Sequence, residues 1–219
     1  MLDNNWETVN GPVAHRIEVL NATNQINVLE GLVTFLLVHR GPKHDGMPAM
    51  PDEASLKQLH RAGTMFLLAS PGEYRNVEVH VGDSDGNVRH QPPPWQLVPG
   101  LMQQFFRQLS SLWASGDALD VAAYTLWGIN WVHPFRNGNG RTARAFSYAC
   151  LSLRIGAILP GTTTVIDQIM ENRKRYEEAL QKADESFKLD PHIPDLVPMK
   201  TFLDELLQIQ ITSIPAADG

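Results

Sequence analysis

Between residues 118 and 154 the sequence reads as helix, stop, glycine loop, helix, and this order constrains the fold more than any other feature. Residues 118–132 carry a helical pattern. His133 ends it, because Pro134 disfavours helical geometry in the residue before it. Asn137-Gly138-Asn139-Gly140 is then a tight loop, and a new helix is expected over 141–154. Asn-Gly is also a hairpin signal, but a hairpin needs strands on both flanks, and these flanks are helical.

The rest of the chain supplies more helices and one interruption. Ile17, Leu20, Val28, Leu32, Phe35 and Leu36 predict a helix over 15–39. GPKHDGMPAMPD reads as a loop, after which Asp52 caps a second helix over EASLKQLHRAGTMFLLAS. Val77, Val79 and Val81 alternate with polar residues and predict a strand. DSDGN predicts its turn, Val88–Gln91 its return strand, and Pro92-Pro93-Pro94 its end. Further helices are expected over 96–115, 164–187 and 195–212. The expected architecture is mainly α: a single helical domain over 15–212 with one short β-hairpin. Residues 1–14 form an N-terminal segment and 213–219 a frayed tail.

Composition excludes several partners. The 219 residues carry a net charge of -6, with no basic block to neutralise a nucleic-acid backbone, so no nucleic acid is expected. The longest apolar stretch, Leu32–Val38, is far short of the ~20 residues that cross a bilayer, so no membrane is expected. The start MLDNNWETVN does not read as a secretory signal. The single cysteine, Cys150, fits a reducing compartment and reads as a buried small hydrophobe. A cytoplasmic location follows as the expectation.

The chemistry lies in His133–Arg144, HPFRNGNGRTAR. Glycines at 138 and 140 let successive backbone N–H groups face one concavity, and the helix N-terminus behind them adds unpaired N–H groups and a positive dipole end. Arg141 and Arg144 are three apart, on one helix face, and guanidinium forks grip phosphate oxygens. This is a cradle for a polyphosphate beside an imidazole. His133, with an ordinary pKa of ~6.5, is a candidate base, although a histidine at a helix end also suits a purely structural place. Trp127 and Trp131 share a helix face and read as core. His80 and His90, without a Cys or carboxylate at ligand spacing, do not read as a metal site.

The segment resembles the signature of the Fic family, H-x-F-x-[D/E]-G-N-G-R-x-x-R. His133, Phe135, Gly138, Asn139, Gly140, Arg141 and Arg144 match, and Asn137 departs. LHRAGTMFLLASPGEYR (59–75), the hairpin ending in HQPPP, and NRKRYEEAL (172–180) resemble further family segments, so the likeness covers about residues 15–210. It implies transfer of AMP from ATP to a Ser, Thr or Tyr hydroxyl of a target protein. His133 would take the hydroxyl proton and Phe135 would hold it from beneath. Gly138, Asn139 and Gly140 would form the anion hole. Arg141 would hold the β-phosphate, Arg144 the γ-phosphate, and Tyr176 would lie near the base, a position where plain packing is the competing reading. The flap strand Val88, Arg89, His90 and Gln91 would pair with the target backbone.

Two departures bear on activity. The resemblance implies an acidic Mg²⁺ ligand where this chain has Asn137, and Mg²⁺ favours charged oxygen. Three readings follow: weaker metal binding with activity kept, different group-transfer chemistry (phosphate, UMP or phosphocholine), or a nucleotide-binding module without catalysis. The first ranks highest because His133 and both arginines are intact. The family's inhibitory helix, [S/T]-x-x-x-E-[G/N], is matched in part by Glu30-Gly31, with Ile26 at its first position. Glu30 would then pair with Arg144, against the plainer reading of a charged residue on an amphipathic helix. Thr201 and Glu205 offer the other half of the pattern. A separate inhibitory partner or a homo-oligomer are the remaining expected associations.

Overall fold

Helices α4 (Ala118–Val132) and α5 (Asn139–Ile155) form the centre of the molecule. The computed structural model describes residues 6–39, 47–82, 88–191 and 194–213. Both central helices are buried on nearly every side, which is why neither shows a clean apolar stripe. Leu126, Ile129, Phe146, Leu151 and Leu153 fill the space around them, with Trp113 of α3 (Val98–Ser115). Asp117 caps α4 by accepting from Asp120 N at 2.8 Å, while the Asp120 side chain accepts from Asp117 N at 3.0 Å.

Helix α1 (Gly11–Val38) starts four residues earlier than its apolar spacing suggests, and Pro12 suits that first turn. α2 (Glu53–Thr64) starts where expected, with Asp52 accepting from Ser55 N at 2.8 Å. It stops six residues short of Ser70, because Phe66 turns left-handed (φ 62°) and Leu67 N donates back to Thr64 O. Leu67 and Leu68 then leave the helix direction and pack with Trp6 and Ala14 in a small second core. The polar N-terminal segment is irregular at residues 6–10, yet Trp6 is buried and Glu7 N donates to Leu67 O.

The hairpin is shorter than the valine alternation predicts. β1 is Val81–Gly82 and β2 is Val88–His90, antiparallel, with Val81 opposite His90 and Gly82 opposite Val88. Side chains hold the backbone that would have extended β1. Arg75 donates to Val77 O and Gln91 Nε2 to Val79 O. The DSDGN turn lies outside the described residues.

A 3-10 turn at Trp95–Leu97 leads into α3. The helix expected over 164–187 is two helices, α6 (Val165–Glu171) and α7 (Arg173–Leu189). Asn172 breaks it: its N–H and its side chain both donate to Gln168 O, at 3.0 and 2.9 Å. α8 (Val197–Thr212) closes the core with Met199, Phe202, Leu203 and Leu206. The expected tail lies, from residue 214, outside the described residues. No helix among them is long and apolar enough to cross a membrane.

Candidate active site

The α4–α5 connection is built to hold an imidazole beside a helix N-terminus. His133 caps α4 in the left-handed region (φ 51°, ψ 57°), which is uncommon for a residue other than glycine. Arg75 holds it there. Its buried guanidinium donates to His133 O (2.8 Å), to Val132 O (3.4 Å), to Val77 O (3.2 Å) and to Pro93 O, and its own N–H donates to Pro134 O (2.8 Å). One cation thus satisfies the last carbonyls of α4 and ties both stems of the hairpin to it.

The imidazole of His133 lies with Nδ1 3.3 Å from Asn130 O. A carbonyl only accepts, so Nδ1 carries the proton and the Nε2 lone pair is left to take one. Burial pushes the pKa of His133 down to about 3. The Asn130 hydrogen bond opposes that shift, and the nearby His90 and Arg75 add to it. The ring is therefore neutral at any ordinary pH, in the state a base requires.

The loop below is braced by groups that sequence reasoning missed. His60, fully buried on α2, stacks on Phe135 at 3.7 Å and 11°. Its Nδ1 accepts from Gly72 N (2.8 Å), so its Nε2 carries the proton and donates to Asn137 O (2.9 Å). Burial pushes its pKa down to about 4. Asn139 folds its amide back onto Phe135, with Oδ1 accepting from Phe135 N and Nδ2 donating to Phe135 O, both at 2.8 Å. Gly138 turns with φ 76°, and a Cβ there would meet Thr64 Cγ2 at 2.6 Å. Only glycine meets both demands.

α5 begins at Asn139, two residues earlier than predicted, and its helical pairing opens with Thr142 N donating to Gly138 O at 3.1 Å. The N–H groups of Asn139, Gly140 and Arg141 accordingly form the first-turn donors of a 17-residue helix. This is an anion-binding geometry.

The two arginines diverge instead of gripping together. Arg141 runs toward α1 and α2: it donates to Gly63 O (3.1 Å) and to Glu18 Oε1 (3.0 Å), and lies over the Trp6 ring at 5.1 Å. Arg144 runs along the other side, near Gly140 and the Tyr176 phenol, whose pKa its charge lowers against a burial effect that carries it up to about 12. Tyr176 is buried, its ring 6.4 Å from Phe202 and its hydroxyl accepting from Asn130 Nδ2 at 2.9 Å. Glu30 is exposed on α1, and its charge acts on the Tyr148 phenol. The carboxylate that meets Arg141 is Glu18. Arg136, also in the signature, pairs with Glu7. Glu18, the eighth residue of α1, carried no motif, so nothing in the sequence marked it.

The flap strand is seated on the far wall. Arg89 pairs with Glu177 of α7 at 2.6 Å. His90 Nε2 donates to Trp131 O (2.9 Å), and Nδ1 faces Asp184 Oδ2 at 3.5 Å. Asp184 also accepts from Trp127 Nε1 (2.9 Å), and burial holds its carboxyl above the usual range. Val88 is exposed and Gln91 reaches Val79 O. Cys150 is fully buried, and burial pushes its thiol up, so it is no nucleophile.

The description Fic/DOC family matches residues 51–151, from the α2 cap to the end half of α5. Residues 51–151 carry a Fic domain. Protein adenylyltransferase Fic of Drosophila persimilis is 33% identical over 118 residues, 52% of this chain and 20% of that protein. The chain thus spans about a fifth of the length of the curated relatives it matches. Among solved structures, a Fic family protein from Desulfovibrio desulfuricans G20 superposes with a TM-score of 0.69 at 22% identity, covering 94% of this chain and 55% of that one. A Fic domain containing signalling protein from Bacteroides thetaiotaomicron gives 0.70 at 18%, covering 93% and 72%. These likenesses establish the helical Fic fold.

Proposed function

We propose that this chain transfers AMP from ATP to a hydroxyl side chain of a target protein. The observation that carries the reading is the state of His133: Nδ1–H committed to Asn130 O, Nε2 left with its lone pair, and the ring kept neutral next to a helix N-terminus. The similarity to a protein adenylyltransferase supports the group transferred.

The target hydroxyl oxygen attacks the α-phosphorus of ATP, and its proton passes to His133 Nε2. The bond from the α-phosphorus to the bridging oxygen breaks, and pyrophosphate leaves with the electron pair. The N–H groups of Asn139, Gly140 and Arg141 offset the charge that grows on the phosphate oxygens. In this reading Arg144 would hold the γ-phosphate and Arg141 the β-phosphate, and Glu18 already engages Arg141. The flap strand Val88–Gln91 offers the target's backbone an edge to pair with. Catalysis of this kind is positioning plus charge stabilisation.

The residues present do not fit a metal held by the protein itself. Asn137 is neutral, and its Oδ1 accepts from Gly138 N at 2.6 Å. Among the described residues no cluster of three His, Cys, Asp or Glu stands ready to ligate an ion. Mg²⁺ therefore belongs to the ATP substrate in this reading. Asn137 also favours a second reading, a nucleotide-binding module that transfers nothing.

The test is an intact mass of the protein incubated with ATP and Mg²⁺ and a hydroxyl-bearing acceptor, including the chain itself. A gain equal to AMP, absent in His133→Ala, supports transfer. A gain equal to phosphate moves the protein to another group-transfer class, and ATP binding without any gain supports the second reading.

A further inference from the structure

We infer that α1 is the interface of an antiparallel dimer of this chain, with the two-fold axis at Asn24. One face of α1 packs inward on α2 and α5 through Ala14, Glu18, Asn21, Gln25, Leu29, Val33 and Leu36. The adjoining face is apolar and uncovered: Val13 is 60% exposed, Leu20 60%, Val28 37% and Phe35 55%. Such a strip on a 28-residue helix needs an occupant.

The spacing of this strip identifies the occupant. Val13, Ile17, Leu20, Asn24, Val28, Gly31 and Phe35 follow one another at intervals of 4, 3, 4, 4, 3 and 4 residues. The repeat stays close to the 3.6 residues per turn of a straight helix, so all seven share one face. The intervals read the same from either end. An isologous contact requires this property, since residue i must meet j wherever j meets i. Laid antiparallel on a second copy, Val13 meets Phe35, Ile17 meets Gly31, Leu20 meets Val28, and Asn24 meets itself.

Three further features agree with a second copy of this chain. Asn24, at the midpoint of α1, is the one polar side chain in the seam, and a lone asparagine in such a seam fixes register through an amide pair. Gly31 lies inside the helix, where glycine costs about 1 kcal/mol against alanine. Its own fold does not require it, because a Cβ there would meet nothing within 4 Å. A second copy laid opposite Ile17, which is half-buried against Trp6, Leu67 and Leu68, would use that space. Arg16 and Glu30 are both exposed and lie along the same flank of the seam. In the antiparallel pair each Arg16 comes beside the other copy's Glu30, so the contact forms twice. A bilayer is the other candidate for an apolar helix face, but α1 has Arg16 as its single Lys or Arg and lacks the basic flank of a membrane-surface helix.

The experiment is sedimentation equilibrium of the full chain across a micromolar concentration series, with cysteine cross-linking. The native protein is expected to sediment at twice the chain mass. Leu20→Glu, at an exposed site, is expected to keep its helical circular dichroism and thermal midpoint and to weaken association at least a hundredfold. Glu30→Arg sets like charges together and is expected to weaken it about tenfold, with recovery in Arg16→Glu/Glu30→Arg. Asn24→Cys is expected to give a disulfide-linked dimer under mild oxidation, whereas Val19→Cys, exposed on another face of α1, does not; the native Cys150 is buried and does not interfere. A monomer at every concentration overturns the inference. So do equal cross-linking at 19 and 24, a dimer indifferent to Leu20→Glu, or a monomer that sediments with anionic vesicles.

Discussion

His133 and His60 carry opposite consequences of the same physics. Each imidazole is held neutral by burial, His133 to act and His60 to brace. A base must be unprotonated, and lowering the pKa of His133 keeps it so as the pH falls through the ordinary imidazole range. The acid limb of the kcat profile is therefore expected well below pH 6, and an acid limb near 6.5 would contradict the burial of this ring. His60 binds a proton readily when unfolded and not when folded, so its stabilising effect is present above pH 6.5 and lost as the pH falls toward 4. The loss is on the order of 3 kcal/mol. Urea titrations between pH 7 and 4 should show that slope in the native chain and a smaller one in His60→Gln. Arg141 is shared at this scale: Glu18 holds the guanidinium that a phosphate would use. Glu18→Gln keeps the hydrogen bond but removes the charge, and is expected to tighten ATP binding about tenfold, equivalent to ~1.4 kcal/mol, by calorimetry.

Among the elements, α4 and the hairpin are joined through one side chain. Arg75→Met would leave the carbonyls of Val132, His133, Val77 and Pro93 without their donor in a buried site. The expected cost is ~3 kcal/mol in chemical denaturation, together with loss of transfer activity even at temperatures where the chain stays folded. The helix boundaries were legible where the sequence shows the cap or breaker that fixes them: Asp52 and Pro134 mark two of them. They were not legible where a distant group decides. The stop of α2 at Thr64 comes with a left-handed Phe66 and the docking of Glu7 and Trp6, and the short β1 follows from Arg75 and Gln91 binding the backbone before it. Local pattern contains none of these partners. The signature loop was legible because its glycines and imidazole sit within one short segment. His60, Arg75 and Glu18 reach it from 58 to 123 residues away and left no such trace.

At the scale of the molecule, α1 connects two surfaces with different tasks. Its inner face carries Glu18, Asn21 and Gln25 onto Arg141, Met65 O and Leu59 O, a polar contact that fixes α1 against the signature helix. Its outer face is the apolar seam assigned to a second copy. Asn137→Asp places a charged oxygen at the loop, and is expected to raise the transfer rate at limiting Mg²⁺ with little change at saturating Mg²⁺. An identical Mg²⁺ dependence in both proteins would show that this position does not meet the metal. The central claim rests on the lone pair of His133 Nε2. Intact mass spectrometry of the native protein with MgATP, beside His133→Ala, tests it most directly. The account predicts a mass gain equal to one AMP per modified hydroxyl in the native sample and none in the variant; an equal gain in both would contradict it.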